Sequence, residues 1–357
     1  MDDSQRDAFV ERMFRAGVGA LDLLHVYIGD RLGLYKAMAS GEPFTARQLA
    51  SQAGINERYA QEWLDHEAIA GTLEVGADDG DGRHYRLPEG HAEVLTDETS
   101  LSYLAPIALG VVGVARTLPL VIEAFKHGTG VPYEAYGADL RDSISRGNRP
   151  MFTHLLARVW FPQVPGLVQR LSADPPARIA DVGCGVGWSS IAMATAYPTA
   201  IIHGLDLDEA SITEAAANAE AEGVADQVTF EVRDAADPKL AGGYDLVCTF
   251  ETIHDMCDPV SALKAMRSLR AASGSVLVVD ERVADVFTVE VEDGERFQSG
   301  WSALHCLPLS MLEPPAAGTG TIMRAPTLRR YAQEAGFRDI EVLPIENDLW
   351  RFYLLQG

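Results

Sequence analysis

Cysteine is scarce, with four in 357 residues: Cys184, Cys248, Cys257 and Cys306. Their separations form neither a disulfide framework nor a zinc-ligand pattern, so no metal site is expected and a reducing, cytoplasmic setting follows. Uninterrupted apolar runs are short, and none reaches the roughly 18 residues of a membrane span. The opening segment "MDDSQRDAFVERMFRAG" is charged where a secretory signal would be apolar. No membrane partner is expected. Positive charge is also in short supply: 29 Lys and Arg stand against 52 Asp and Glu, a formal net charge of -23. Such a surface repels phosphate backbones and suits a small or cationic ligand better than nucleic acid.

The 47% of hydrophobic residues is enough for real cores, and three regions separate. Residues 1–100 read as helices followed by a small hairpin. The stretch "FVERMFRAGVGALDLLHVYIGDRLGLYKAMA" has helical spacing interrupted by Gly17, Gly19 and Gly33. Thr45 can cap a helix "ARQLASQA" that Gly54 ends, and Asn56 can cap "ERYAQEWLDHEAIA". With the hairpin in "GTLEVGADDGDGRHYRL" this is a winged helix. Its charge argues against DNA. From Pro43 to Asp97 four arginines (Arg47, Arg58, Arg83, Arg86) face eleven acidic residues. A packing or dimerisation domain is the better reading, and a homodimer is expected.

Residues 101–175 read as a helical linker and substrate region, with a loop at "TGVPYEAYGADL" between two helical stretches. From 176 to 357 strand and helix alternate. Strands are expected at "ARIADVG", "AIIHGLD", "VTFEVRD", "YDLVCTF", "GSVLVVD", "DIEVLPI" and "WRFYLLQ". Near-continuous apolar strands between helices predict an α/β fold: a seven-stranded, doubly wound, Rossmann-like sheet behind an all-helical, winged-helix N-terminal domain. The last two strands are joined by a link too short for a crossover and must pair antiparallel. Residues 282–324 carry no strand pattern and are expected to fold as an inserted lid.

The chemistry begins in "RIADVGCGVGWSS". Gly183, Gly185 and Gly187 follow the first strand in the order G-x-G-x-G, whereas a dinucleotide fingerprint needs glycine at 188, where Trp188 stands. The G-K-[ST] of a P-loop is missing too. The turn therefore permits close approach of a ligand without a pyrophosphate cradle. Asp181 would repel a phosphate and attract a cation. Asp206, 19 residues beyond Gly187, ends the second strand, where a carboxylate can accept both ribose hydroxyls. Asp234 ends the third, where it can accept from an adenine amino group while the Ala235 amide donates to the ring. Adenosine joined to something positive and phosphate-free fits S-adenosyl-L-methionine.

These motifs, with "YDLVCTFETIHD", resemble those of class I S-adenosylmethionine-dependent methyltransferases. The winged helix joined to such a domain is similar to plant caffeate-type and bacterial small-molecule O-methyltransferases, and more so to actinobacterial methyltransferases with a regulator-like N-terminal domain. The resemblance implies cofactor contacts from Asp181, Gly183, Gly185, Gly187, Asp206, Leu207, Asp234, Ala235, Phe250 and Glu251. It also nominates His254 as general base, with Asp255 orienting the imidazole or touching substrate; the same pair can instead cap the following helix. Tyr133, Tyr136, Trp301 and His305 are candidates to line the acceptor site, or to be packed in a core. A small-molecule acceptor is implied. O-methylation leads, C- or N-methylation is the near alternative, and a cofactor-sensing regulator or a non-methylating relative is the reading from another class.

Overall fold

The computed structural model describes residues 3–357 except 79, 81, 235, 236, 238, 239 and 241. Two compact units form, one of Met1–Gly113 with Ala138–Pro150 and the other of Val114–Gly137 with Met151–Gly357. The stretch 101–175 is thus shared between the units.

In the first unit one helix, Asp3–Arg31, runs straight through Gly17 and Gly19. A glycine inside a helix costs about 1 kcal/mol but does not by itself break it. The break comes at Gly33, whose φ of 67° is left-handed, before the short helix Leu34–Met38. Thr45 and Gln48 form a reciprocal capping box at the start of Ala46–Ala53, and Gly54, at φ 68°, ends that helix. Asn56 Oδ1 accepts from the Arg58 and Tyr59 amides and opens Glu57–Ile69. Strands β1 (Glu74–Asp78) and β2 (Arg83–Arg86) pair antiparallel as the wing. Leu34, Tyr35, Met38, Leu49, Trp63, Leu64, Tyr85 and Leu87 make the core. Two acids of the Glu57–Ile69 helix are used internally. Glu67 accepts from the Tyr35 hydroxyl at 2.9 Å, and Asp65 pairs with Arg83 and the Tyr85 hydroxyl.

The helix Gly137–Met151 occupies residues whose first four the sequence places in a loop. Its run "DSISRGNRP" is poor in helix formers, and tertiary ion pairs fix it instead. Arg146 holds Asp30 through two bonds of 2.7 and 2.8 Å, and Arg31 reaches Asp142 at 2.8 Å. The apolar helix Pro106–His127 has the length and composition of a membrane span, which sequence runs alone did not show, because Arg116 and Thr117 interrupt it.

The second unit carries seven strands: β3 (Arg178–Val182), β4 (Ile201–Asp206), β5 (Val228–Val232), β6 (Tyr244–Phe250), β7 (Arg270–Glu281), β8 (Asp339–Val342) and β9 (Trp350–Gln356). Their order is β5-β4-β3-β6-β7-β9-β8, parallel except for β9, which runs against both neighbours. All seven expected strands are present, with the antiparallel terminal pair. Apolar residues fill both faces. Ile179, Ile202, Leu246, Leu277 and Trp350 pack on one side; Ala180, Val182, Val247, Val278 and Tyr353 pack on the other. The chain leaves β3 toward β4 on one side and returns to β6 on the other, so a crevice opens at the carboxyl ends of β3 and β6. Residues 282–324 hold helical segments (Asp293–Trp301, Ser302–Cys306, Leu307–Ser310) and no strand.

Candidate active site

The glycine turn lies at that crevice, between β3 and the helix Trp188–Ala196. All three glycines have positive φ: 71°, 52° and 86° at Gly183, Gly185 and Gly187. Their roles differ. A Cβ at Gly183 would strike Thr252, and one at Gly187 would lie 2.6 Å from the Phe230 ring. Those two glycines are required by packing inside the protein. A Cβ at Gly185 would meet nothing within 4 Å, so this is the glycine that leaves room for a ligand. Gly204 and Phe230, which the sequence reading passed over, complete the packing: a Cβ at Gly204 would come within 2.5 Å of the same ring.

Asp206 ends β4 with its carboxylate turned onto the loop. Oδ2 accepts from the Gly185 amide at 2.8 Å and Oδ1 from the Asp208 amide at 2.9 Å. Burial pushes its pKa up even though these backbone donors favour the charge. Leu207, beside it, is 72% exposed, an apolar side chain left for a flat ligand to cover. Asp234 is exposed just past β5, and Ala235 lies outside the described residues.

Two residues expected at the cofactor are buried in this structure. Asp181 is 1% exposed and lies beneath the turn. Its Oδ2 accepts from Ser189 at 2.6 Å and Ser190 at 2.7 Å, so it fastens the first turn of the following helix. Burial, partly offset by those hydroxyls, pushes its pKa up to about 6. Phe250 is buried at 7% exposure, its ring edge-on to Phe152 at 5.2 Å.

Past β6 the backbone is bent sharply. Glu251 has a φ of 52°, a conformation that a non-glycine residue adopts only when held in it. Two bonds hold it: its amide donates to Val279 O, and its Oε1 accepts from Trp350 Nε1 at 2.8 Å. The short helical turn Ile253–Asp255 then delivers His254, only 2% exposed. Nδ1 donates to Asp280 Oδ1 at 2.7 Å, and Nε2 lies 3.3 Å from Asp255 Oδ1. Burial alone would lower the histidine pKa. The charges of Asp280 and Asp255 outweigh it and hold that pKa well above the usual range. Glu281, next to Asp280, accepts from Gln298 at 2.6 Å. Burial and the charge of Glu251 raise its pKa strongly.

Residues 282–324 bring His305 and Cys306 to the same place. Tyr136 is buried, bonds Leu304 O at 3.0 Å and meets the His305 ring edge-on at 4.7 Å. Tyr133 lies 6.0 Å from that ring. Trp301 packs on Phe297 at 5.8 Å, on the part-exposed side of its helix. The structure therefore gathers His254, Asp255, His305 and the two tyrosines, leaves Trp301 paired to Phe297, and adds Asp280, Glu281, Cys306 and Trp350. Asp280 and Glu281 were within reach of the sequence, since "VVDE" ends a strand as Asp206 ends another. Cys306 and Trp350 carried no local signal.

Residues 174–324 match the methyltransferase domain family, and residues 19–97 match the Rv2258c-like winged HTH domain. The two matches are a methyltransferase domain and a winged helix N-terminal to it, the combination that the sequence motifs resemble. Solved structures share this architecture across almost the whole chain. A mitomycin 7-O-methyltransferase aligns with a TM-score of 0.70 at 17% identity over 99% of both chains. Human N-acetylserotonin methyltransferase, solved with S-adenosylmethionine, aligns at 0.67 and 19% over 98% of this chain and 97% of its own. At such identities the likeness is one of fold. Among curated proteins, the trans-aconitate 2-methyltransferase of Streptomyces avermitilis is 34% identical over 125 residues, 35% of this chain and 43% of that one. The ubiquinone biosynthesis O-methyltransferase of Marinobacter nauticus is 36% identical over 104 residues, 28% of this chain and 42% of its own. The chain spans about two fifths of the length of such relatives.

Proposed function

We propose that the whole protein transfers a methyl group from S-adenosylmethionine to a hydroxyl of a small, largely apolar molecule, with His254 taking the hydroxyl proton. The observation that carries this is the histidine at the tip of β6, fixed by Asp280 and lying beyond the same strand end that closes the glycine turn. The residues fit the cofactor: Gly185 leaves open space, Asp206 offers a carboxylate and Leu207 an uncovered apolar side chain. These would hold the adenosine, and the bound sulfonium supplies an activated methyl. What remains for the protein is alignment to about 3 Å and removal of a proton. The Nδ1–H bond to Asp280 fixes the ring so that Nε2 is the working atom. In its neutral form the ring takes the proton at Nε2, the two carboxylates stabilise the imidazolium so formed, and the partly exposed Asp255, 3.3 Å away, can pass the proton on. Tyr133 and Tyr136 give the acceptor flat walls, and His305 completes the lining from residues 282–324.

The direct test is release of S-adenosylhomocysteine with a panel of phenols, aliphatic alcohols and amines. Turnover with phenols or alcohols supports hydroxyl methylation; turnover with amines alone moves the reading to N-methylation. Asp206→Ala is expected to weaken S-adenosylmethionine binding by at least ~1 kcal/mol, about five-fold, the cost of losing charge-assisted hydrogen bonds. Unchanged affinity in calorimetry contradicts the site.

A homodimer belongs to the same proposal. On the Asp3–Arg31 helix, Val10, Phe14, Leu21, Leu24 and Ile28 are exposed at steps of four, seven, three and four, a seam suited to a second helix. The acidic Glu57–Ile69 helix supports pairing over DNA binding. Wild type should scatter light as twice 38.6 kDa and Leu21→Glu as 38.6 kDa; a monomeric wild type refutes the seam. The four free cysteines support a cytoplasmic location.

A further inference from the structure

The pocket around His254 is built like the inner and outer shells of a metal site, although cysteine spacing in the sequence argued against one. His254, Asp255 and Cys306 come from two chain segments some 50 residues apart, and one ligand atom from each (an imidazole nitrogen, a carboxylate oxygen and the Cys306 Sγ) lies within 4.8 Å of the other two. Ligand atoms around a zinc ion bonded at about 2.0–2.3 Å are themselves roughly 3.5 Å apart. The gathering is therefore close to the size such an ion needs. Behind the ring, Asp280 already accepts from Nδ1 at 2.7 Å, the outer carboxylate that orients a metal-binding histidine.

A second observation is independent of the three ligands. His305, 4% exposed, lies with Nδ1 3.4 Å from the Cys306 sulfur, and its Nε2 is buried with no hydrogen-bond partner among the described residues. Buried polar atoms left unpaired cost about 1–3 kcal/mol each. An unpaired imidazole nitrogen beside one thiol and a second imidazole marks a place made for something more.

We propose that His254, Asp255 and Cys306 bind a thiophilic divalent cation of the zinc type, and that its binding stops methyl transfer by taking the Nε2 lone pair. Binding would displace the Nε2 and Sγ protons to solvent, while the Nδ1 proton stays on its bond to Asp280. The inhibitory half rests on His254 acting as the base; the site itself does not.

The test uses the full-length protein stripped with chelator and titrated with Co2+, with no methyl acceptor present. One saturating equivalent should produce strong visible bands of a four-coordinate ion and a thiolate-to-cobalt band in the near ultraviolet, displaced by Zn2+. Cys306→Ser should remove the thiolate band and Cys257→Ser should keep it. Asp255→Asn, at a part-exposed side chain, should weaken binding ten-fold or more and serves if the serine variant does not fold. Cobalt that binds without a thiolate band, or fails to saturate, overturns the site. Zinc that binds without slowing methyl transfer overturns the inhibitory half and the role of His254 as base while the site stands. Absent binding in a protein whose activity depends on His254 overturns the site and leaves that base in place.

Discussion

His254→Ala should lower turnover about 100-fold or more while S-adenosylmethionine affinity stays within about two-fold. Positioned proton transfer contributes roughly 10²–10⁴-fold to such reactions, and 100-fold corresponds to about 2.7 kcal/mol of transition-state stabilisation. The affinity is spared because the ring is bonded to Asp280 and Asp255, whereas the proposed cofactor surfaces are Gly185, Asp206 and Leu207. Steady-state kinetics and calorimetry on one preparation separate the two effects. Full turnover would reduce His254 to a structural residue that satisfies Asp280. A joint loss of turnover and affinity would mean that the cleft had collapsed, and the melting temperature would then fall with both.

Trp350→Ala should destabilise the protein by about 3–5 kcal/mol, the cost of emptying a fully buried aromatic position. Trp350 is 0% exposed and packs edge-on against Trp160 at 5.3 Å and beside Phe152 at 5.5 Å. Its indole also donates to Glu251, the residue whose left-handed backbone carries the chain from β6 to His254. The alanine variant therefore opens a cavity and releases a strained turn together. Trp350→Phe isolates the second effect: it keeps most of the packing and removes one charge-assisted bond, at about 1.5–3 kcal/mol. Urea denaturation should rank wild type, phenylalanine and alanine in that order. Alanine costing less than 1 kcal/mol would contradict the packing, and an unaffected methyl transfer in the phenylalanine variant would contradict the link to the site.

The parallel sheet was legible because its strands are apolar on both faces and separated by helices, and a strand such as "YDLVCTF" has few other ways to be buried. The caps at Thr45 and Asn56 were legible because they are local chemistry, a hydroxyl or amide oxygen beside free amides. The helix at Gly137–Met151 was not, since ion pairs to Asp30 and Arg31, more than a hundred residues away, hold it. The site divided along the same line. Residues at the tips of consecutive strands, Asp206 and His254, follow from the order of the fold. The side on which a residue faces does not, and so Asp181 and Phe250 were expected at the ligand and lie in the interior. Cys306 reaches His254 only through the path of the lid, which no periodicity encodes.

The most direct measurement is a calorimetric titration of the purified protein with S-adenosylmethionine, S-adenosylhomocysteine, NAD and ATP under one buffer. The account predicts saturable binding of the first two at one site per chain, weakened by Asp206→Ala, and no binding of the phosphate-bearing nucleotides. Binding of NAD or ATP to that site, or silence toward S-adenosylmethionine, would contradict it.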